Sequence, residues 1–277
     1  MTILPTWGAW AWIHHHPSTF SDPWAVASFV LAIVFALLSL GYAASVVKVN
    51  RRYAKSWPAS RSLYWHTGMT LAASACVSPL VLPGSHAIAN HMVVHLLLGM
   101  FVPLILVFAA PMTLLMRALP APAARSFIRL LKQPVLRIVV HPAVGAFVNI
   151  GSMWALYRTP IYATMQESPA LYVVVHVHFA AAGYLFTASV LRFDRWMHDW
   201  GFRSRVIWLI ISMAGHGILS KTLFASPPAG VPAIQAEYAA RMMYYGGDAV
   251  EITLILSLCY LHYRAPRRLK QSSLPSA

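Results

Sequence analysis

The sequence predicts an all-α integral membrane fold: seven transmembrane helices in a single membrane domain over residues 1–277, N-terminus outside, C-terminus cytoplasmic. Three observations carry this. First, 58% of the residues are hydrophobic and 10% are charged, with a mean hydropathy of +0.60. A soluble domain carries about 25% charged residues. Too few remain here to cover a water-facing surface, and disorder, collagen and a disulfide scaffold are excluded as well. Second, seven stretches are apolar over roughly the 20 residues that a helix needs to cross a bilayer. Third, the basic residues fall in alternate connections between those stretches.

The elements follow in order. The first 20 residues hold no Lys or Arg, so they lack the n-region of a cleaved signal peptide. Trp7, Trp10, Trp12 and Trp24 read as an interfacial aromatic cluster. Spans are predicted at about 24–47, 62–82, 87–109, 138–157, 169–191, 206–225 and 245–263. All should be helices, because lipid offers backbone N–H and C=O groups no partner. Pro103 lies inside the third span and Pro111 follows it, which predicts a kink or an early stop. The stretch 112–136 is amphipathic and should lie on the inner surface, arginines among the headgroups. No internal repeat or long linker interrupts the chain.

Charge fixes orientation. Lys+Arg number 21 and Asp+Glu 7, a net of +14. Eighteen of the 21 basic residues sit in 48–61, 110–137, 192–205 and the C-terminal tail. Only Arg158, Lys221 and Arg241 fall on the other side. The positive-inside rule therefore places those connections and the tail in the cytoplasm. The inner side then carries +16 and the outer side with its leaflet −2. A basic chain can also signal nucleic acid, but no aromatic-interleaved basic patch or groove-reading motif is present. The imbalance is a topology signal, and the slightly acidic outer face is the side where a cation would enter.

Ionisable side chains inside spans are costly and usually functional. Counted at about 1.5 Å per helical residue from the outer end of each span, they fall at similar depths. Cys76 lies roughly 9 Å deep on span two; His91 and His95 lie roughly 6 and 12 Å deep on span three. His176 and His178 are roughly 10 and 13 Å deep on span five, and His216 roughly 14 Å on span six. Asp248 and Glu251 are roughly 5 and 9 Å deep on span seven. His91 and His95 are i,i+4 and share a helix face, as do Asp248 and Glu251 at i,i+3. His176 and His178 point about 200° apart, so only one can face a common site. Gly215, Gly217, Gly246 and Gly247 would let the helices around His216 and Asp248 approach closely.

Imidazole suits copper, zinc and iron, and thiolate or thioether favours Cu(I). The set therefore points to a metal site opening outward, with copper the best match. Imidazoles on two helices could instead hold a haem edge-on, for instance His95 with His178. Each histidine also has a plainer role available as an interhelical hydrogen-bond partner. Lys221 could simply neutralise Asp248 or Glu251. The shared depth across five helices favours a common site. His14, His15 and His16 form an external triplet, able to collect metal weakly or to serve as a solvated turn. Cys76 and Cys259 lie on opposite sides, which excludes a disulfide between them.

These residues resemble a known family. His91-Met92-Val93-Val94-His95 is similar to the H-M-x-x-H motif of the CtaG-type (caa3-type) cytochrome c oxidase assembly factors. His141-Pro142, His176-Val177-His178-Phe179 with Gly183-Tyr184-Leu185-Phe186, and His216 look like further signatures of that family. So does Met243-Tyr244-Tyr245-Gly246-Gly247-Asp248 with Glu251. The resemblance covers about residues 24–265. Thr187-Ala188-Ser189-Val190 departs from it where many members carry Trp-Pro. It implies a multi-pass protein of the bacterial cytoplasmic membrane that serves oxidase formation, with copper delivery as the proposed role. Its partners would be the oxidase subunits, lipid and, in a homo-oligomer, further copies of itself.

Other function classes compete. A transporter of metal or protons would use Asp248, Glu251 and Lys221 as relay groups. It would also need ionisable groups through the full depth, and the inner halves offer only His66, His141 and His262 near their ends. A retinal photoreceptor would want a lysine in the last span, which has none. No nucleophile–base pair, phosphate loop or dinucleotide fingerprint suggests an enzyme.

Overall fold

The computed structural model describes residues 23–77, 88–194 and 200–272, with side chains described as far as residue 264. His14, His15, His16 and the first three tryptophans of the interfacial cluster lie outside the described residues. The described chain is helical, without strands. It opens with α1 (Pro23–Arg52) and α2 (Ala59–Val77), which pack against each other. A third long helix runs through α3 (Ile88–Leu96), a π-helical turn (Leu97–Phe101) and α4 (Val102–Phe108). Three short helices follow: α5 (Pro111–Ala118), α6 (Ala121–Leu131) and α7 (Pro134–Val139). Then come α8 (Pro142–Arg158), the short α9 (Ile161–Glu167), α10 (Pro169–Leu191), α11 (Phe202–Ala225) and α12 (Ala233–Ser272).

Among the described residues, four helices are long and apolar enough to cross a membrane: Pro23–Arg52, Ile88–Phe108, Pro169–Leu191 and Phe202–Ala225. The helix 88–108 is the most buried of these, since α2, α10 and α12 all pack on it. α11 packs between α8 and α12. Along α1, Val26, Phe29, Val30, Ile33, Leu37, Leu38 and Leu40 are exposed, a continuous apolar surface of the kind that lipid covers.

Proline sets several boundaries. Pro103 has no N–H to give the Gly99 carbonyl four residues back. The helix accommodates this with the π-turn just before Pro103, and it stays continuous to Phe108. Gly183 on α10 seats against that turn: a Cβ there would overlap the Gly99 carbonyl. Ala110 then takes a left-handed conformation (φ 49°) and Pro111 starts α5. The predicted amphipathic stretch 112–136 is thus three helices, each with Pro in its first turn, where the missing N–H costs nothing. On α6, Ala124, Phe127, Ile128 and Leu131 form a half-buried stripe opposite exposed Arg125 and Arg129.

Helix bounds differ from the predicted spans at several ends, among them the fourth and the last. The fourth helix begins at Pro142, not 138. The His141 side chain accepts a hydrogen bond from Ala143 N at 3.0 Å, which caps α8 and ends the continuity with α7. The last helix is longer than the predicted 245–263, running 40 residues from Ala233.

Candidate functional site

The site is built outward from the central helix. His91 and His95, one helical turn apart on α3, face the same way, and both are buried. α10 adds His176, whose ring centroid lies 5.3 Å from that of His91. α11 adds His216, 6.4 Å from the ring of His95. α12 adds Glu251, whose Oε1 lies 3.6 Å from His216 Nδ1. The relative exposure of His95, His176 and His216 is 1% each, and that of Glu251 is 6%. Four elements therefore bring four imidazoles and a carboxylate into one water-excluded region.

Small residues permit this approach. A Cβ on Gly247 would overlap the His216 ring, so the imidazole lies directly on the backbone of α12. A Cβ on Gly246 would come within 2.7 Å of Leu96 Cδ1, which keeps α12 close to α3. His176 Nδ1 is 2.8 Å from the Tyr172 carbonyl, the bond that orients its ring and leaves Nε2 to face the site. Around the first pair stand aromatic rings: Tyr157 and Tyr162 at 6.0 and 5.5 Å from His91, and Tyr172 at 4.0 Å from His176. Tyr162, on the α9 turn between longer helices, has its hydroxyl pKa pushed up to about 12 by burial, so it stays neutral.

The ring nitrogens matter most. His91 Nε2, both nitrogens of His95, His176 Nε2 and His216 Nε2 are buried without a protein hydrogen-bond partner. A buried polar atom left unpaired costs about 1–3 kcal/mol. Five of them within one histidine cluster mark a place built for something other than internal packing. Imidazole nitrogens are the donor chemistry of a soft or borderline metal ion. Among the described residues, however, no three His, Cys, Asp or Glu side chains converge closely enough to share one ion. The donors meet as two pairs, His91 with His176 and His95 with His216.

The remaining sequence-predicted residues lie at the margins. Of the two α10 histidines, His176 is buried and His178 is exposed on the opposite side, away from His95. Cys76 is fully buried in the apolar core on α2. Asp248 is half-buried, one turn before Glu251. Lys221 is exposed, with Nζ 5.5 Å above the Tyr244 ring, and forms no ion pair with Asp248 or Glu251. His66 bonds Ser39 Oγ at 2.7 Å, and His262 stacks on Phe202 at 3.9 Å, so both are absorbed by local structure.

Sequence reading missed a small cavity beside the cluster. Gly99, Asn149, Thr187, Ser212, His216 and Glu251 line it together with apolar side chains, and it offers about 30 Å³ of water-accessible space. That is enough for a water molecule or two. Asn149, midway along α8, was the available signal, a polar group inside a span.

Comparison with known proteins identifies a family. The profile of the cytochrome c oxidase caa3 assembly factor family matches residues 40–265, and the chain belongs to that family. It is 28% identical over 226 residues to an uncharacterized protein of Mycobacterium leprae, covering 79% of this chain and 33% of that protein. It is 29% identical over 194 residues to uncharacterized proteins of Mycobacterium bovis and Mycobacterium tuberculosis, covering 68% of this chain and 29% of each of them. The chain thus spans about a third of the length of these curated relatives. No solved structure matches it.

Proposed function

We propose that this protein is a non-enzymatic assembly factor that holds copper in its buried histidine cluster and passes it to a cytochrome c oxidase subunit within the bacterial cytoplasmic membrane. Membership of the oxidase assembly factor family supports the destination. The five unpartnered ring nitrogens of His91, His95, His176 and His216 carry the metal assignment. Those residues fit copper by donor type, and Glu251 offsets part of the charge that the cation brings into a low-dielectric site. Cys76 and Asp248 are second-choice contacts in this reading. Delivery requires an ion that can leave, and two-donor pairs release a cargo more readily than a closed tetrahedral cage.

The same reading makes the chain a single domain of seven spans, with the three less apolar long helices, α2, α8 and α12, crossing beside the four more apolar ones. The N-terminus lies outside and the C-terminus in the cytoplasm, as the basic connections indicate. The site then opens to the outer leaflet. A deletion strain complemented with variants tests the function. Wild type and His178→Ala should restore oxidase activity and oxidase copper content. His91→Ala/His95→Ala should restore neither while reaching the membrane at normal levels. Full restoration by the double variant would overturn the proposal.

A further inference from the structure

The cluster is not one four-nitrogen site but a row of two. The first pair, His91 and His176, joins α3 to α10 with ring centroids 5.3 Å apart. The second, His95 and His216, joins α3 to α11 at 6.4 Å. A ring centroid lies about an ångström from its nitrogens, so rings 5.3 and 6.4 Å apart can turn nitrogens toward one ion between them, the first pair opening slightly to do so. No third His, Cys, Asp or Glu among the described residues closes either pair into a cage. That arrangement is poor for zinc, which takes four ligands in structural sites. It fits Cu(I), a closed-shell ion that accepts two neutral nitrogen donors in line.

The pairs also differ in their surroundings. Tyr157, Tyr162 and Tyr172 ring the first. Glu251 flanks the second, and that pair borders the small cavity through His216. His91 and His95 stack one helical turn apart on a single face. His95 has neither ring nitrogen partnered by protein, so no hydrogen bond fixes its ring to either side.

We propose that the protein holds two monovalent copper ions, one per histidine pair, and that cargo advances between the pairs along α3. This rests on the copper reading above and adds the stoichiometry and route. In each advance, the ion held by His95 and His216 first leaves for the recipient; the bonds from the other copper to His91 Nε2 and His176 Nε2 then break and bonds to His95 and His216 Nε2 form. The ion stays Cu(I), no electron moves, and no proton is needed because all four donors are neutral imidazoles.

The test is anaerobic Cu(I) titration of the purified full chain against a chromophoric Cu(I) chelator, with metal content measured after gel filtration. The variants are His91→Gln/His176→Gln and His95→Gln/His216→Gln, each checked for native helicity by circular dichroism. X-ray absorption of the wild type counts nitrogen neighbours per copper without any substitution. The expected result is two Cu(I) per wild-type chain, one per chain in each pair variant, and two nitrogen neighbours per ion. One Cu(I) per chain with three or four nitrogen neighbours, lost in either variant, would overturn the two-pair arrangement and leave the copper reading standing. Two ions lost together in either variant would also overturn it. No copper in the wild type would overturn both.

Discussion

An imidazole buried without a partner is a costly group, and His95 has two nitrogens in that state. Such a residue persists when its neighbours hold it in place for another purpose. Gly247 is the clearest of those neighbours, because the His216 ring occupies the space where any side chain would stand. Gly247→Ala should push the His216 ring off its position, with an overpacking cost of about 1–3 kcal/mol. The expected outcome is a lower melting temperature and weaker copper retention. His178→Ala, at an exposed position, should stay within about 0.5 kcal/mol of wild type and retain copper fully. Thermal unfolding in detergent with metal analysis of both variants checks this. At this scale the sequence was informative. The i,i+4 spacing put His91 and His95 on one face, and depth put His176 and His216 near them. It could not choose between His176 and His178, because helical geometry says only that they diverge. The choice depends on which side of α10 meets α3.

At the scale of elements, the inner ends are fixed by polar contacts rather than by apolar stripes. Asp194, 5% exposed, accepts hydrogen bonds from Thr113 N at 2.9 Å and Thr113 Oγ1 at 2.5 Å. It therefore caps the first turn of α5 from the connection after α10. This tertiary cap ties the segment after the central helix to the chain that follows the His176 helix. Asp194→Ala should destabilise α5 by about 1–3 kcal/mol, the cost of leaving its buried donors unpaired. Faster hydrogen exchange confined to 111–118 would report it, with the histidine helices unchanged. The contact joins residues 81 positions apart, so no local pattern could reveal it. The π-turn is a similar case. Pro103 signalled a disturbance in the third span, but its form depends on the close seat of Gly183 against Gly99.

At the scale of the whole molecule, composition and charge set most of the outcome. A chain with 58% hydrophobic residues and a net charge of +14 is explained by helices in lipid and basic connections on one side. The predicted topology places residues near 160 and 230 outside, and 200 and the C-terminal tail inside. Alkaline phosphatase fused after the first two should be active. Green fluorescent protein fused at the C-terminus should fluoresce. Activity of phosphatase fused near 200 would contradict the orientation. The sequence showed where the helices run, but not how four of them converge. The residues that His91 and His95 meet, His176 and His216, belong to other helices, and pairing distances arise only when the bundle packs.

In the proposed function the buried imidazoles exist to hold copper. Copper content decides it most directly, measured on purified wild-type protein and on a variant with His91, His95, His176 and His216 all changed to Gln, both loaded with Cu(I) under reducing conditions and then dialysed. The account predicts copper retained by the wild type and absent from the folded variant. Equal copper in both, or none in the wild type, would contradict it.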